Sequence, residues 1–220
     1  MKATSAGPTK RLPKLTAPSH IVDLAGAIVR VGSGRGFPVQ SPRLDTLVIT
    51  AGHCLPDLPP AMPAAHNAER TYVNFIGPIG GAATLAAECL FVDPVGDLAV
   101  LCGPDNQTYF DESEQYEAFT DRRPKLTIGR IPEDPCQAWL LARDGKWCSC
   151  SISVGRWGRT LQISDLQAKS IAPGTSGSPV ITAAGVAVGV VSIGEYLNPV
   201  LVNHLPGWLL SDLVPARVTG

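Results

Sequence analysis

Charged side chains are scarce in this sequence, and neither sign is in excess. Lysine and arginine number 18, aspartate and glutamate number 19, and the formal net charge is −1. Non-specific binding to nucleic acid needs a basic stripe that neutralises phosphates, and none runs along this chain. We therefore expect no nucleic-acid partner. A few basic residues near the start are interpreted as part of a solvated tail over residues 1–19: Lys2, Lys10, Arg11 and Lys14.

Long apolar runs are also missing. No stretch approaches the roughly 18 apolar residues that a membrane span requires, and the first apolar segment, residues 21–31, contains Asp23 and Arg30. The basic start is followed by proline and polar residues rather than by the apolar core of a signal peptide. These absences predict that the protein has no membrane partner and is cytoplasmic.

Glycine and proline, by contrast, are abundant, with 22 and 20 residues. They separate short apolar segments, and short strands with turn residues between them predict an all-β fold. The predicted strands cover residues 21–31, 47–50, 72–76, 82–92, 98–101, 126–131, 138–142, 147–154, 160–163, 179–182 and 186–193. One helix is predicted, over residues 208–214, because Pro206 and Gly207 precede it and Pro215 follows.

A polar segment divides the chain into two halves. Residues 105–121 are acidic and nearly free of aliphatic side chains, which is typical of an interdomain linker. We predict an N-terminal β-barrel over residues 20–104, a linker over 105–124, a C-terminal β-barrel over 125–204, and a helix with a tail over 205–220.

Six cysteines form an even set that would allow three disulfides. Because no signal peptide is found, reduced thiols are the expected state. Cys148 and Cys150 are spaced too closely for a CxxC metal or redox motif, and only Cys136 is near them. We therefore predict no metal site.

Three short segments carry residues suited to catalysis. In the first, residues 47–54, an apolar strand runs into a turn of small residues that carries His53. An imidazole at the end of a buried strand can face a cleft and act as a general base. A hydrogen-bonded structural histidine is the alternative, and we assign His66 and His204 to that class because neither has a nucleophile pattern nearby.

In the second segment, residues 91–101, Asp97 directly precedes a four-residue apolar strand. A carboxylate at the edge of the core can orient an imidazole and stabilise its protonated form. The alternative is an aspartate that only caps a turn. We prefer that interpretation for Asp93, because Pro94 follows it.

The third segment, residues 172–181, holds Ser176 between glycines and ahead of a strand. Such a turn can direct backbone N–H groups into solvent, as an oxyanion hole requires, and the amides of Gly174 and Ser176 are the candidates. Ser178 precedes Pro179 and the strand, so we expect it to pack. An ordinary turn is the alternative interpretation of the whole segment.

The three segments together are more distinctive than any one of them alone, because His53, Asp97 and Ser176 follow one another in that order along the chain. Thr-Ala-Gly-His-Cys, Gly-Asp-Leu-Ala-Val-Leu and Gly-Thr-Ser-Gly-Ser-Pro resemble the signature segments of the chymotrypsin/trypsin-like serine proteases, nearer to bacterial and viral branches than to animal digestive enzymes. The resemblance implies two antiparallel six-stranded β-barrels packed face to face, with a short C-terminal helix. An α/β-hydrolase matches less well, because it needs Gly-x-Ser-x-Gly and the order Ser, Asp, His.

The same resemblance implies a serine endopeptidase that cleaves a polypeptide substrate through an acyl-enzyme, without a cofactor. Ser176 would be the nucleophile, His53 the base and Asp97 the residue that orients the imidazole. The amides of Gly174 and Ser176 would form the oxyanion hole. The alternative is a catalytically idle relative that serves as a peptide-binding or scaffold module. A regulatory protein partner is also expected, because the sequence shows no sensor domain of its own.

The resemblance also assigns the contacts with substrate. The residues expected to make them are Ser170, Ile171, Val191, Ser192, Ile193 and Gly194. Ser192 and Gly194 would bind the substrate backbone by strand addition, and the other four would lie around the specificity pocket. Neither an acidic side chain nor a histidine stands at this pocket, so we expect a small or medium apolar residue to be preferred there.

Two departures from the family pattern concern activation and disulfides. Thr175 stands where animal members carry an aspartate that binds a new N-terminus, so activation by N-terminal cleavage is not expected. Cys54 follows His53 without an upstream cysteine to pair with it, which supports the reduced state. Cys89 and Cys102 could still form a bridge across a hairpin.

Overall fold

The protein is mostly β, and the computed structural model describes residues 15–42, 45–60, 67–105, 107–154, 160–164, 171–192 and 201–213. The first sheet contains β1 (Val29–Val31), β2 (Gly34–Gln40), β3 (Thr46–Thr50), β4 (Thr71–Pro78), β5 (Leu85–Asp93) and β6 (Leu98–Cys102). The second contains β7 (Thr127–Ile128), β8 (Cys136–Leu141), β9 (Trp147–Val154), β10 (Thr160–Ser164), β11 (Pro179–Thr182), β12 (Val186–Val191) and β13 (Leu201–His204). The α-helices are α1 (Ser19–Val22), α2 (Phe110–Asp121) and α3 (Gly207–Leu213). Within these described ranges, no helix has the length and apolar character needed to cross a membrane.

The first sheet closes into a barrel of six antiparallel strands in the order β1-β2-β3-β6-β5-β4. The β1–β2 hairpin turns at Gly32 and Ser33, and Gly32 has φ +52, a backbone conformation that favours glycine. The prediction of a six-stranded antiparallel barrel is therefore confirmed for the N-terminal half.

Among the described residues, the second sheet has seven strands in the order β11-β8-β9-β10-β13-β12-β7, and β11 also pairs with β12. It is a mixed sheet, because the two-residue β7 runs parallel to β12. The amide of Gly129 donates to the carbonyl of Ala187 at 3.0 Å and holds this added segment in place. The prediction of six antiparallel strands in the C-terminal half is thus corrected to a mixed sheet of seven.

The described side chains form three hydrophobic clusters that organise the two sheets. One fills the first barrel, one lies within the second sheet, and the third combines side chains of both sheets with those of α3. Alternation along β3 explains this division, since Val48 belongs to the barrel interior whereas Leu47 and Ile49 belong to the cluster between the sheets. Every residue of β3 is buried, so the strand that leads to His53 has core on both faces.

The segment predicted as a linker, residues 105–124, contains helix α2. Two acidic residues in its first turn interact favourably with the positive end of the helix dipole. Tyr116 anchors the helix on the first barrel: it is fully buried, and its hydroxyl donates to the carbonyls of Thr46 (3.1 Å) and Leu101 (3.4 Å). A helix with so few buried residues has too weak an apolar period to be predicted from its sequence.

The predicted strand over residues 21–31 is wrong for most of its length. Helix α1 and a 3-10 turn occupy this region, and only the last three residues form β1. Ile21 is nevertheless fully buried in the cluster between the sheets, which accounts for the apolar pattern that suggested a strand. The predicted C-terminal helix is confirmed by α3, which adds Leu209 and Leu210 to the same cluster.

None of the six cysteines, all of which lie in the described part of the chain, forms a disulfide. The β5–β6 register pairs Cys89 with Leu101 and Glu88 with Cys102. Successive residues of a strand point to opposite faces, so the thiols of Cys89 and Cys102 lie on opposite sides of the sheet. Burial raises the pKa of Cys89 to about 11 and that of Cys102 to about 12. The bridge considered from the sequence therefore does not form.

Candidate active site

Strand β3 brings His53 to the edge of the first barrel. A 3-10 turn (Gly52–Cys54) follows the strand, and the amide of Leu55 donates to the carbonyl of Gly52 at 3.1 Å. A Cβ at Gly52 would lie 3.3 Å from Oδ1 of Asp97, so the absence of a side chain lets the turn approach the carboxylate closely. The imidazole of His53 is half-exposed and open to solvent.

Asp97 directs both carboxylate oxygens at His53. Oδ2 lies 2.8 Å from Nδ1 of the imidazole, and Oδ1 accepts the backbone N–H of the same residue, also at 2.8 Å. The carboxylate therefore fixes both the ring and the turn that carries it. With Nδ1 engaged by Asp97, Nε2 is the ring nitrogen on the opposite edge.

The β5–β6 turn determines where Asp97 lies. Oδ1 of Asp93 accepts the amide N–H groups of Val95 (2.9 Å) and Gly96 (2.8 Å), so the interpretation of Asp93 as a turn residue is confirmed. Asp97 itself has φ +49, in the left-handed region that residues other than glycine seldom occupy. Such a strained backbone persists only where surrounding contacts hold it, and here the two bonds to His53 do so.

The charges of the pair stabilise each other. The hydrogen bond to Asp97 raises the pKa of His53 above its usual value, against the opposing effect of burial, and the charge of the carboxylate adds to the rise. Burial alone would raise the pKa of Asp97. Hydrogen bonds from the His53 ring, from Ser192 and from the His53 backbone outweigh it and hold the pKa of Asp97 below its usual value.

Ser192 contacts the pair in a way that sequence reasoning did not predict. Its hydroxyl donates to Oδ2 of Asp97 at 2.5 Å, and only 4% of the residue is exposed. The sequence analysis gave Ser192 only a backbone contact with substrate. No local pattern signals the observed contact, because its partner lies 95 residues away along the chain.

Ser176 lies in a loop that two glycines shape. Gly174 has φ +90 and Gly177 has φ +80, both in the region that favours glycine. The amide of Thr175 donates to the carbonyl of Ala172 at 3.0 Å, and its hydroxyl donates to the same carbonyl at 2.8 Å. Among the described residues, no acceptor takes the amide N–H of Gly174 or Ser176. The loop therefore offers the two donors that the sequence analysis proposed for an oxyanion hole.

The Ser176 loop packs directly against the turn that carries His53. The carbonyl of Ser176 accepts the amide of Arg35 at 2.7 Å and the thiol of Cys54, the residue after His53, at 3.7 Å. Ser178 is fully buried, as its interpretation as a packing residue predicted, and its hydroxyl has no hydrogen-bond partner in the described part of the chain. The structure thus brings together the three segments that the sequence analysis selected.

The remaining predicted substrate contacts have different surroundings. Ile171 and Val191 are 8% and 0% exposed, and both belong to the core cluster of the second sheet. The backbone N–H and carbonyl of Val191 both bond to the loop that carries Ser176. Their part in recognising substrate stays a prediction. Three further predicted contacts lie outside the described residues: Ser170, Ile193 and Gly194.

Known proteins resemble this chain in structure rather than in sequence. No family model and no curated protein sequence matches it. Its fold is similar to that of the Rv3671c protease. The alignment with the crystal structure of the inactive form of the Rv3671c protease has a TM-score of 0.51 and 18% sequence identity, and covers 92% of this chain and 100% of that chain. The similarity to the Rv3671c protease, at this identity, establishes the fold alone.

Proposed function

We propose that this protein is a serine endopeptidase of the chymotrypsin/trypsin-like type. In this proposal Ser176 is the nucleophile, His53 the general base and Asp97 the residue that orients the imidazole. The observation that carries the proposal is the 2.8 Å contact between Asp97 and Nδ1 of His53, on a turn against which the Ser176 loop packs. The similarity in fold to a protease supports the same class of function.

The proposed reaction begins when Oγ of Ser176 bonds to the carbonyl carbon of the scissile peptide and its proton moves to Nε2 of His53. The carbonyl electron pair moves onto oxygen, which accepts the N–H groups of Gly174 and Ser176. Return of that pair breaks the C–N bond, and His53 gives its proton to the leaving amine. Water then attacks the acyl-enzyme and passes a proton to His53. That proton returns to Oγ of Ser176 as the carboxylic acid leaves.

The amides of Gly174 and Ser176, which no acceptor takes among the described residues, support the oxyanion step of this mechanism. Loss of one such donor costs about 10²–10³-fold in turnover in enzymes that stabilise a tetrahedral intermediate in this way. Thr175 lies between Gly174 and Ser176, and its two hydrogen bonds to the carbonyl of Ala172 fix the loop there. The N–H groups of Gly174 and Ser176 are therefore arranged before substrate binds. The charge of Asp97 in turn stabilises the imidazolium that forms when His53 takes the proton.

The second sheet is proposed to correspond to the second barrel of the family. The pairing of β11 with β12 supports this, because it joins the two ends of a run of six strands, β11-β8-β9-β10-β13-β12. The cluster that combines side chains of both sheets supports the proposed packing of one barrel on the other. Ser176 would then lie in the second unit, and His53 and Asp97 in the first.

The substrate is proposed to be a polypeptide with a small or medium apolar residue before the scissile bond. Of the residues expected around the pocket, Ile171 and Val191 lie in the described part of the chain, and neither carries a charge that would favour a basic or acidic residue. A peptide library cleaved by the protein provides the measurement. A profile dominated by basic or acidic residues at that position would contradict the proposed preference without contradicting the serine chemistry.

A fluorophosphonate probe tests the proposed nucleophile. The probe forms a covalent bond with an activated serine Oγ and loses fluoride, so it needs neither a known substrate nor peptide binding. We expect the folded wild type to be labelled and Ser176→Ala to be unlabelled. Ser178→Ala is the matched control, because the hydroxyl of Ser178 lies two residues away and has no hydrogen-bond partner among the described residues. It should be labelled like the wild type.

The alternative function, a catalytically idle module that binds peptides or serves as a scaffold, makes the opposite prediction. A folded wild type that resists the probe over the whole pH range in which it stays folded would favour the module. Labelling that persists in Ser176→Ala would contradict the assignment of the nucleophile.

A further inference from the structure

Arg35 is a buried arginine whose side chain crosses from the first barrel to the second sheet. It lies in β2 and is only 5% exposed. Its guanidinium donates to the carbonyl of Leu141 at 2.5 Å and to that of Ala142 at 3.2 Å, at the end of β8. In the part of the chain that the structure describes, no carboxylate forms an ion pair with this guanidinium.

The backbone of Arg35 contacts both parts of the candidate site. Its amide donates to the carbonyl of Ser176 at 2.7 Å, and its carbonyl accepts the hydroxyl of Thr50 at 2.6 Å. Thr50 is the last residue of β3, the strand that leads to His53. Gly177 packs so closely on the carbonyl of Arg35 that a Cβ there would clash with it. One residue thus contacts the nucleophile loop, the histidine strand and the second sheet.

A buried guanidinium without an acidic partner is a costly way to fill this position. Desolvation penalises the charge, and replacing buried charges with apolar side chains of similar volume is often neutral or stabilising. Burial, together with the nearby charge of Arg143, lowers the pKa of Arg35. An arginine at this place is therefore better explained by geometry than by fold stability, because its rigid fork fixes the direction of two hydrogen bonds at once.

We propose that Arg35 is a positioning residue, which holds the Ser176 loop in place relative to His53 by tying the first barrel to the end of β8. The inference rests on the proposed function, in which the base and the nucleophile come from different sheets. A slip between the sheets would move Oγ of Ser176 away from Nε2 of His53. A misplacement of about 1 Å can cost about 10²-fold in rate.

The test compares Arg35→Met and Arg35→Lys with Arg30→Met. Arg30 is an exposed control for the same kind of hydrogen bond, because it also donates to two backbone carbonyls, those of Gly32 (3.1 Å) and Gly81 (2.9 Å), but both lie in the first barrel. The rate of fluorophosphonate labelling is measured from pH 5 to 9, at a temperature well below the Tm of each variant. Hydrogen exchange of the backbone amides of residues 171–182 is measured on the same proteins.

We expect Arg35→Met to lower the limiting labelling rate by about 10- to 100-fold while the midpoint of the pH profile stays that of the wild type. The midpoint should not move because the bond between His53 and Asp97 lies within the first barrel. Exchange of the amides in the Ser176 loop should become faster. Arg35→Lys, which keeps the charge but not the fork, should recover part of the rate, and Arg30→Met should behave like the wild type.

Three results would overturn the proposal. The first is a wild-type limiting rate in Arg35→Met, and the second is an equal loss of rate in Arg30→Met. The third is unchanged exchange of the loop in Arg35→Met. The exchange measurement is independent of catalysis. If the wild type resists the probe, the proposed function fails, and faster loop exchange in Arg35→Met but not in Arg30→Met still shows that Arg35 positions the loop.

Discussion

The hydroxyl of Ser192, directly after β12 in the second sheet, donates a 2.5 Å hydrogen bond to Oδ2 of Asp97 in the first barrel. Nδ1 of His53 lies 2.8 Å from the same oxygen. Oδ2 of Asp97 therefore contacts both His53 of the first barrel and Ser192 of the second sheet. Both bonds favour the ionised carboxylate, so Asp97 keeps its charge to lower pH than an exposed aspartate would.

The pH dependence of labelling should report the titration of His53. Only a neutral imidazole can accept the proton of Ser176, and the bond to Asp97 raises the pKa of His53 above its usual 6.5. The half-maximal rate is therefore expected above pH 6.5. Asp97→Asn should move this midpoint to lower pH and reduce the limiting rate by about 10⁴-fold. A wild-type midpoint below pH 6.5 would contradict the raised pKa of His53.

The same pair contributes to the pH dependence of stability with opposite signs. The contribution of His53, whose folded pKa is raised, is fully present below its unfolded pKa and is lost as the pH rises through the folded value. The contribution of Asp97, whose folded pKa is lowered, is present above its unfolded pKa and is lost as the pH falls through the folded value.

Ser192→Ala should destabilise the protein by about 2 kcal/mol near pH 7, because it removes a hydrogen bond to a charged and largely buried carboxylate. The difference from the wild type should shrink as the pH falls through the folded pKa of Asp97, since a protonated carboxyl is a weaker acceptor. Denaturant unfolding at several pH values measures it. Ser178→Ala, which removes a buried hydroxyl without a hydrogen-bond partner among the described residues, should show no such pH dependence. An equal loss in Ser192→Ala at all pH values would contradict the prediction.

Tyr116→Phe should cost about 1 kcal/mol of unfolding free energy, because the hydroxyl donates to the carbonyls of Thr46 and Leu101 at the contact of α2 with the barrel. Tyr116→Ala should cost about 3–5 kcal/mol, because it also empties a fully buried site. Urea denaturation followed by circular dichroism provides the measurement. Tyr109→Phe, just before α2, is the control. An equal effect of the two phenylalanine substitutions would show that α2 does not depend on the Tyr116 hydroxyl.

Gly177→Ala should be far more damaging than Gly145→Ala. The two glycines have nearly the same φ, +80 and +79, so the backbone strain is matched at about 1–2 kcal/mol. A Cβ at Gly145 meets nothing within 4 Å, whereas one at Gly177 would clash with the carbonyl of Arg35. Thermal unfolding and probe labelling should show a large loss for Gly177→Ala and a small loss of stability alone for Gly145→Ala. Similar losses in both variants would contradict the close approach of the Ser176 loop to β2.

Much of the first barrel and of the candidate site could be predicted from local patterns. The apolar run of β3, the small residues around His53, and the glycines on either side of Ser176 each express a local requirement: burial, close approach or positive φ. Local patterns failed to predict the secondary structure where the same apolar residues can be buried by a helix or by a strand. In residues 21–31, Ile21 is buried as part of helix α1 and not as part of a strand. Helix α2 packs through the buried Tyr116 and lacks a continuous apolar face.

The sequence by itself determined which segments of this protein are candidates for catalysis, because turn geometry and strand burial depend on residues that are neighbours in the sequence. Only the tertiary structure decided how those segments are held together. The hydroxyl of Ser192 meets Asp97 across 95 residues, and the guanidinium of Arg35 meets the carbonyl of Leu141 across 106. Contacts between residues so far apart in the sequence follow from the packing of one sheet on the other. The residues next to Ser192 or Arg35 in the sequence do not indicate which distant residue will be the hydrogen-bond partner of its side chain.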